Sequence, residues 1–184
     1  STCCSPMGSS LYKSDFLVIG SGIAGLTFAI KASQTGTVNV VTKKQDFDSS
    51  TNYAQGGIAS VLDETDSFES HIEDTLKAGA GLCNRETVDI LVRKGPDRIR
   101  ELIDWGARFT MEGEHFHLGL EGGHTNRRIV HARDLTGKEI ERALLQHISR
   151  IDNINVFENH TAVDLLTEHQ LGIKPDQIKG NIHC

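Results

Sequence analysis

The apolar run Phe16-Leu17-Val18-Ile19 leads without a spacer into Gly20-Ser21-Gly22-Ile23-Ala24-Gly25 and then into Leu26-Thr27-Phe28-Ala29-Ile30-Lys31-Ala32, an order that leaves few folds open. The run has strand length, the glycines make a turn, and an apolar segment of helical character follows, so the segment reads strand, turn, helix. Gly36 closes the predicted helix, and Val38-Asn39-Val40-Val41 gives a second strand before the polar Thr42-Lys43-Lys44. A unit of this kind starts the parallel sheet of a Rossmann-like α/β domain. Each glycine has its own task. Gly20 permits the tight bend, Gly22 lets backbone approach a ligand, and Gly25 lets helix and strand pack closely. The start of a helix, with N–H groups and partial positive charge, suits a dinucleotide pyrophosphate. Gly20, Ser21, Gly22, Ile23, Ala24 and Gly25 are therefore candidate cofactor-binding residues. The residue type about twenty positions on does not name the dinucleotide: Lys43 and Lys44 stand where an acid would mark NAD, and they leave NADP and FAD both open.

Downstream, Asp66 with Glu69 has the spacing of a capping box ahead of Phe68, Ile72 and Leu76, and Gly79-Ala80-Gly81 ends that helix. Val88, Leu91 and Val92 mark a second helix, Gly95-Pro96 is expected to break the chain, and Ile99, Leu102 and Ile103 mark a third ending at Gly106. Residues from about 66 to 106 thus read as a helical insertion between sheet strands. Thr136 and Glu139 form a second capping-box pattern before Ile140, Ala143, Leu144, Ile148 and Ile151, an amphipathic helix. Asn155-Val156-Phe157 and Thr161 to Leu166 are expected as strands.

Composition removes several function classes. Nineteen Lys and Arg against 25 Asp and Glu give a formal charge of −6 without long single-sign runs, which argues against a nucleic-acid partner. No apolar run approaches the roughly 18 residues that span a bilayer, so no membrane partner is expected. Cysteines at 3, 4, 83 and 184 form no regular framework, in keeping with a reducing compartment. His115, His117 and His124 invite a zinc reading, but no Cys or further ligand cluster accompanies them, and no metal is expected. Arg127, Arg128, His131 and Arg133 form a small basic cluster that either attracts an acidic ligand or pairs with nearby acids. Residues 1–14 are rich in Ser and read as a structureless tail, an expression scar or the end of a transit peptide.

Three further stretches, Ser50-Thr51-Asn52-Tyr53-Ala54-Gln55-Gly56-Gly57-Ile58-Ala59, Asp66 to Cys83, and Glu121 to Gly137, carry a resemblance. With the glycine turn, in order and spacing, they closely resemble the flavoprotein family of L-aspartate oxidase and the flavoprotein subunits of succinate dehydrogenase and fumarate reductase, and the oxidase branch in particular. The likeness runs from about residue 15 to about 166. It implies a Rossmann-like FAD-binding domain with a parallel sheet and a helical insertion, of which residues 15–184 are the N-terminal part, the capping domain and the C-terminal part lying beyond. It also implies FAD as cofactor, L-aspartate as the molecule oxidised to iminoaspartate, and oxygen or fumarate as electron acceptor. That reaction opens NAD biosynthesis from aspartate, with quinolinate synthase downstream.

By the same resemblance, Gly20 to Gly25 would take the FAD pyrophosphate and Lys43 the adenosine portion. Ser50, Thr51, Asn52, Tyr53, Ala54, Gln55, Gly56 and Gly57 would meet the central phosphates and flavin edge, and Ala162 and Val163 the adenine. Asn52 stands in the segment where the dehydrogenase and reductase relatives carry a flavin-bonding histidine, so FAD is expected to be non-covalent. Glu121 would orient aspartate through its α-amino group, with His124 in the pocket and Gly122-Gly123 giving close backbone approach. The arginine and histidines that the family brings to the substrate carboxylates come from later segments, so this chain alone is expected to be inactive. The compartment expected by default is the cytoplasm, or a plastid if residues 1–14 are a transit remnant. A fumarate reductase-type flavoprotein and a non-catalytic nucleotide-binding fragment are the alternatives.

Overall fold

The computed structural model describes residues 11–43, 56–133 and 135–166. Strand β1 (Phe16–Ile19), helix α1 (Ile23–Ala32) and strand β2 (Val38–Val41) follow the order read from sequence. The two strands pair in parallel with Phe16 opposite Val38 and Ile19 opposite Val41. Helix α1 stops at Ala32, and a turn bonded from Thr35 and Gly36 back to Ala32 carries the chain into β2, so Gly36 lies past the helix end. Strand β3 (Ile58–Ala59) comes next, then helices α2 (Phe68–Ala78) and α3 (Arg85–Asp104). Four short strands follow: β4 (Met111–Glu112), β5 (His115–Phe116), β6 (Leu118–Gly119) and β7 (Ile129–Val130). Helix α4 (Thr136–Ile148) then returns the chain to strand β8 (Ile154–Phe157), which pairs in parallel with β2.

The parallel sheet has the order β1-β2-β8. Alternation along the strands decides its faces: Val18, Val38, Val40 and Ile154 are buried in a core shared with Leu26, Ala29 and Ile30 of α1 and Ala143, Leu144 and Ile148 of α4. Leu17 and Ile19, which alternate with Val18, are 54% and 51% exposed. A three-stranded antiparallel sheet, ordered β3-β7-β6, and the β4-β5 hairpin make a second layer. Gly57 is needed for that layer, because a Cβ there would meet Ile129 Cγ2 at 2.3 Å and the Val130 carbonyl at 2.4 Å. The room given up at Gly57 is taken by β7.

Several expectations are corrected. Gly95-Pro96 does not break the chain: α3 is one helix of 20 residues with Pro96 inside it. A mid-helix proline forfeits a hydrogen bond and costs about 3 kcal/mol. The offset is a continuous buried stripe, Val88, Val92, Pro96, Ile99 and Leu102, that two separate helices would interrupt. Gly95 lets this helix approach β3, since a Cβ there would lie 3.1 Å from Ser60 Oγ. Neither capping box forms as expected. Ser67, not Asp66, caps α2 by accepting the Ser70 N–H. Leu135 precedes α4, Thr136 Oγ1 accepts the Ala132 N–H, and Glu139 accepts the Arg108 N–H. Thr161 to Leu166 form no strand and are exposed, because among the described residues no strand lies beside them.

Candidate functional site

The glycine turn has the geometry its residues imply. Gly20 has φ +103°, a conformation that strains any L-residue, and its N–H donates to the Val41 carbonyl at 2.8 Å. Gly22 precedes α1 in extended conformation, and no acidic side chain sits in the first helical turn. A Cβ on Gly25 would stand 2.2 Å from the Gly20 carbonyl oxygen and 3.2 Å from Val18 Cγ1. Glycine is therefore required there for the helix start to lie against β1. Ser21 and Thr42 share a hydroxyl hydrogen bond of 2.8 Å, tying the turn to the end of β2. Thr42 in turn donates its N–H to the Phe157 carbonyl and accepts from the His160 N–H, each at 3.0 Å.

The exits of β1, β2 and β8 are thereby laced together, and exposed Lys43 lies one residue beyond Thr42. Ala162 and Val163 follow His160 closely, with Val163 94% exposed. The carboxyl ends of parallel strands are where open α/β sheets take ligands. Backbone N–H groups at a helix start without a competing acid, and a lysine at the neighbouring strand end, suit an anionic pyrophosphate with its ribose. Ser50, Thr51, Asn52, Tyr53, Ala54 and Gln55 lie outside the described residues. Gly56 is exposed, and a Cβ there would meet nothing within 4 Å.

Glu121 lies in the loop that joins β6 to β7. The His124 N–H donates to the Glu121 carbonyl at 3.2 Å, closing a tight turn in which Gly123 has φ +87°. Glu121 is exposed, and its carboxylate makes no hydrogen bond or ion pair among the described residues. The remainder of the loop is bound to α2. Arg128, fully buried, grips Asp66 with Nε to Oδ2 and Nη2 to Oδ1, both at 2.8 Å. Its Nη1 reaches Asp74 Oδ2 at 2.9 Å, and Nη2 also donates to Ser70 Oγ at 3.0 Å. Asp74 Oδ2 accepts the Thr125 N–H at 2.8 Å and the Thr125 hydroxyl at 2.9 Å. The Asn126 amide donates to Asp66 Oδ1 at 2.8 Å.

These bonds govern ionisation. Burial alone would raise the pKa of Asp66, but bonds from Arg128, Asn126 and the Ser67 N–H outweigh it and hold the carboxyl below its ordinary range. Asp74 follows the same pattern: burial raises it, and Thr125 and Arg128 more than reverse the effect. His71 is shifted below the ordinary histidine value, first by burial and then by the Arg128 and His124 charges. Its ring stands edge-on to that of His124, with centroids 5.6 Å apart. Nδ1 of each ring is buried without a hydrogen-bond partner among the described residues.

The four residues read as one basic cluster do not act together. Arg128 is the internal ion-pair partner described above. Arg127 donates weakly to the Leu118 carbonyl at 3.5 Å, and His131 bonds His117 at 2.8 Å. Arg133 lines a groove of about 1010 Å³ with Arg108, Lys138, Glu139 and Arg142. His115 sits in the β4-β5 hairpin, and no three metal-ligating side chains converge among the described residues. Sequence reading missed Asp74, Ser70 and His71. The available signal was the four-residue spacing of Asp66, Ser70 and Asp74, a polar stripe beside the apolar Phe68, Ile72 and Leu76.

A family model described as FAD binding domain matches residues 15–182. L-aspartate oxidase 2-b, chloroplastic, of Nicotiana tabacum is 57% identical over 155 residues, which cover 83% of this chain and 24% of that protein. L-aspartate oxidase of Vibrio cholerae is 43% identical over 175 residues, covering 92% of this chain and 33% of that protein. The chain thus spans between a quarter and a third of the length of these curated relatives. Among solved structures, a mutant of E. coli quinol fumarate reductase FrdA superposes with a TM-score of 0.80 at 31% identity, over 85% of this chain and 27% of that one.

Proposed function

The chain belongs to the FAD-binding-domain family, with FAD as its cofactor, and from that premise we propose that it is the N-terminal part of an FAD-dependent L-aspartate oxidase. The enzyme would convert L-aspartate to iminoaspartate, with oxygen or fumarate as the acceptor, at the start of NAD biosynthesis; quinolinate synthase would use the product. Support comes from the likeness of most of this chain to named L-aspartate oxidases of a plant and a bacterium. Residues 15–184 would be the first part of the FAD-binding domain, with residues 66–106 inserted in it. The plant relatives named chloroplastic favour a plastid over the cytoplasm when the source is a plant. No helix of the described residues is long and apolar enough to cross a membrane.

The residues present fit FAD: the close approach at Gly25, the positive φ of Gly20 and an α1 start without an acid all suit its pyrophosphate. Lys43 would hold the adenosine side and Ala162-Val163 the adenine. FAD, when bound, supplies the acceptor for the hydride that leaves the substrate α-carbon. The protein's part is orientation. The observation that carries the reading is the Glu121 carboxylate, exposed and without a partner among the described residues, on a loop otherwise tied to α2. An ammonium is the group such a carboxylate would take, by a charge-assisted hydrogen bond. Succinate and fumarate offer it no cation, which gives discrimination for an amino acid. His124, at the end of the same turn, would line the pocket.

In the full-length enzyme, Glu121→Gln should raise KM for L-aspartate about 10- to 100-fold, the worth of one hydrogen bond to a charged group. The KM for fumarate should stay unchanged. Equal effects on both ligands, or none on aspartate, would remove the oxidase assignment of this residue. With asparagine at 52, FAD is non-covalent in this reading, and acid precipitation should leave the flavin in the supernatant.

A further inference from the structure

We propose that Thr125 and Asp74 are positioning residues for Glu121: α2 holds the β6-β7 loop through them and thereby sets where the Glu121 carboxylate stands. The inference rests on the reading of Glu121 as the contact for the substrate ammonium. Its own ground is the way the loop is built. Nine residues, 120 to 128, join β6 to β7, and two of those nearest the tip are Gly122 and Gly123. Glycines give a loop no preferred course, so the tip needs an external hold.

That hold is supplied by one helix. Thr125 gives its N–H and hydroxyl to the same Asp74 oxygen, at 2.8 and 2.9 Å, and its hydroxyl also lies 3.2 Å from Ser70 Oγ. Asn126 reaches Asp66 and Ser70, the His124 ring lies against His71, and a Cβ on Gly123 would come 3.8 Å from Ala78. Arg128 then fixes the carboxylates of both Asp66 and Asp74, so that Asp74 is itself immobilised by an ion pair that is almost wholly buried. The turn bond from the His124 N–H to the Glu121 carbonyl passes this hold to the tip. Glu121 needs no side-chain partner of its own to be positioned, and its carboxylate remains available to a ligand. The polar stripe on α2 therefore serves a substrate-recognition loop, and loosening it should affect the ligand that carries an ammonium and spare the one that does not.

The test uses the full-length flavoprotein. Thr125→Val keeps shape and backbone donor while deleting the hydroxyl bonds to Asp74 and Ser70; it leaves the buried ion pairs alone. KM for L-aspartate should rise about 3- to 10-fold, part of the worth of the hydroxyl bond to the Asp74 carboxylate, because the Thr125 N–H still holds the same oxygen, with KM for fumarate within twofold of the parent. Thr125→Ser, which retains the hydroxyl, should behave as the parent. In a Glu121→Gln background, Thr125→Val should add nothing further to the aspartate KM, because its effect passes through Glu121. Equal shifts for both ligands, no shift for either, or full additivity with Glu121→Gln would overturn the proposal while leaving the role of Glu121 intact. A Glu121→Gln enzyme with the parent KM for aspartate would instead remove the underlying reading and this inference with it.

Discussion

Replacing Gly25 by alanine tests the link between the glycine turn and the cofactor. The added Cβ would fall 2.2 Å from the Gly20 carbonyl oxygen, whereas ordinary contact begins at 3.4 Å, so a gap of about 1.2 Å must open. The obstacle is backbone, and Gly20 cannot easily withdraw: its N–H is bonded to Val41, and β1 is in register with β2 along its whole length. The start of α1 must therefore swing away from β1, carrying the N–H groups that would face the pyrophosphate. Overpacking of this kind costs about 1–3 kcal/mol. If that strain is relieved only by displacing the phosphate site, FAD affinity should fall about 10- to 100-fold, at 1.4 kcal/mol per factor of ten. The assay is titration of flavin-free full-length protein with FAD, read by flavin fluorescence. Gly119→Ala is the control, since its Cβ would meet Ile129 at an ordinary 3.6 Å. A Gly25→Ala protein that binds FAD as tightly as the control would refute the argument.

Three other outcomes follow from the same geometry. Arg128→Met removes the cation from two buried carboxylates and should cost about 3–5 kcal/mol in urea unfolding, the usual penalty for breaking a buried pair from one side; a loss below 1 kcal/mol would show that Asp66 and Asp74 are not dependent on it. Because His71 is held below its ordinary value of 6.5, the unfolded chain takes up its proton before the native one does, and thermal stability should fall as pH drops below about 6.5. His71→Gln should abolish that step and keep a second one below pH 3.8, where Asp66 and Asp74, both depressed in the native state, begin to protonate in the unfolded chain. Gly122→Ala adds a Cβ that meets nothing within 4 Å and requires no positive φ, so melting temperature should not change; a raised aspartate KM in that variant would mark the close passage of ligand past this backbone.

What could be read from the sequence was decided by short-range physics. The β1 strand, its glycine turn, α1 and β2 occupy fewer than thirty consecutive residues, and glycine spacing and apolar periodicity specify them together. Helix α4 was legible for the same reason, since Ile140, Ala143, Leu144 and Ile148 form one stripe and all are buried. Long-range bonds hid the rest. Asp66 had the spacing of a cap, but its carboxylate is taken by Arg128, 62 residues away, and the capping role passes to Ser67. Glu139 likewise serves Arg108 and Arg142 in place of its own helix start. Local geometry disfavours a proline at position 96 of a helix and makes a break the local expectation, yet packing of α3 along a continuous stripe prevails. Glu121 was named through a resemblance; nothing in its neighbours' letters reveals the hold of α2, which depends on two segments about fifty residues apart.

Anaerobic mixing of the full-length flavoprotein with L-aspartate and, separately, with succinate tests the central claim most directly. The blue absorption band of the bound flavin should bleach at a far lower concentration of aspartate than of succinate, because only aspartate offers Glu121 an ammonium. Bleaching by succinate with none by aspartate would contradict the account.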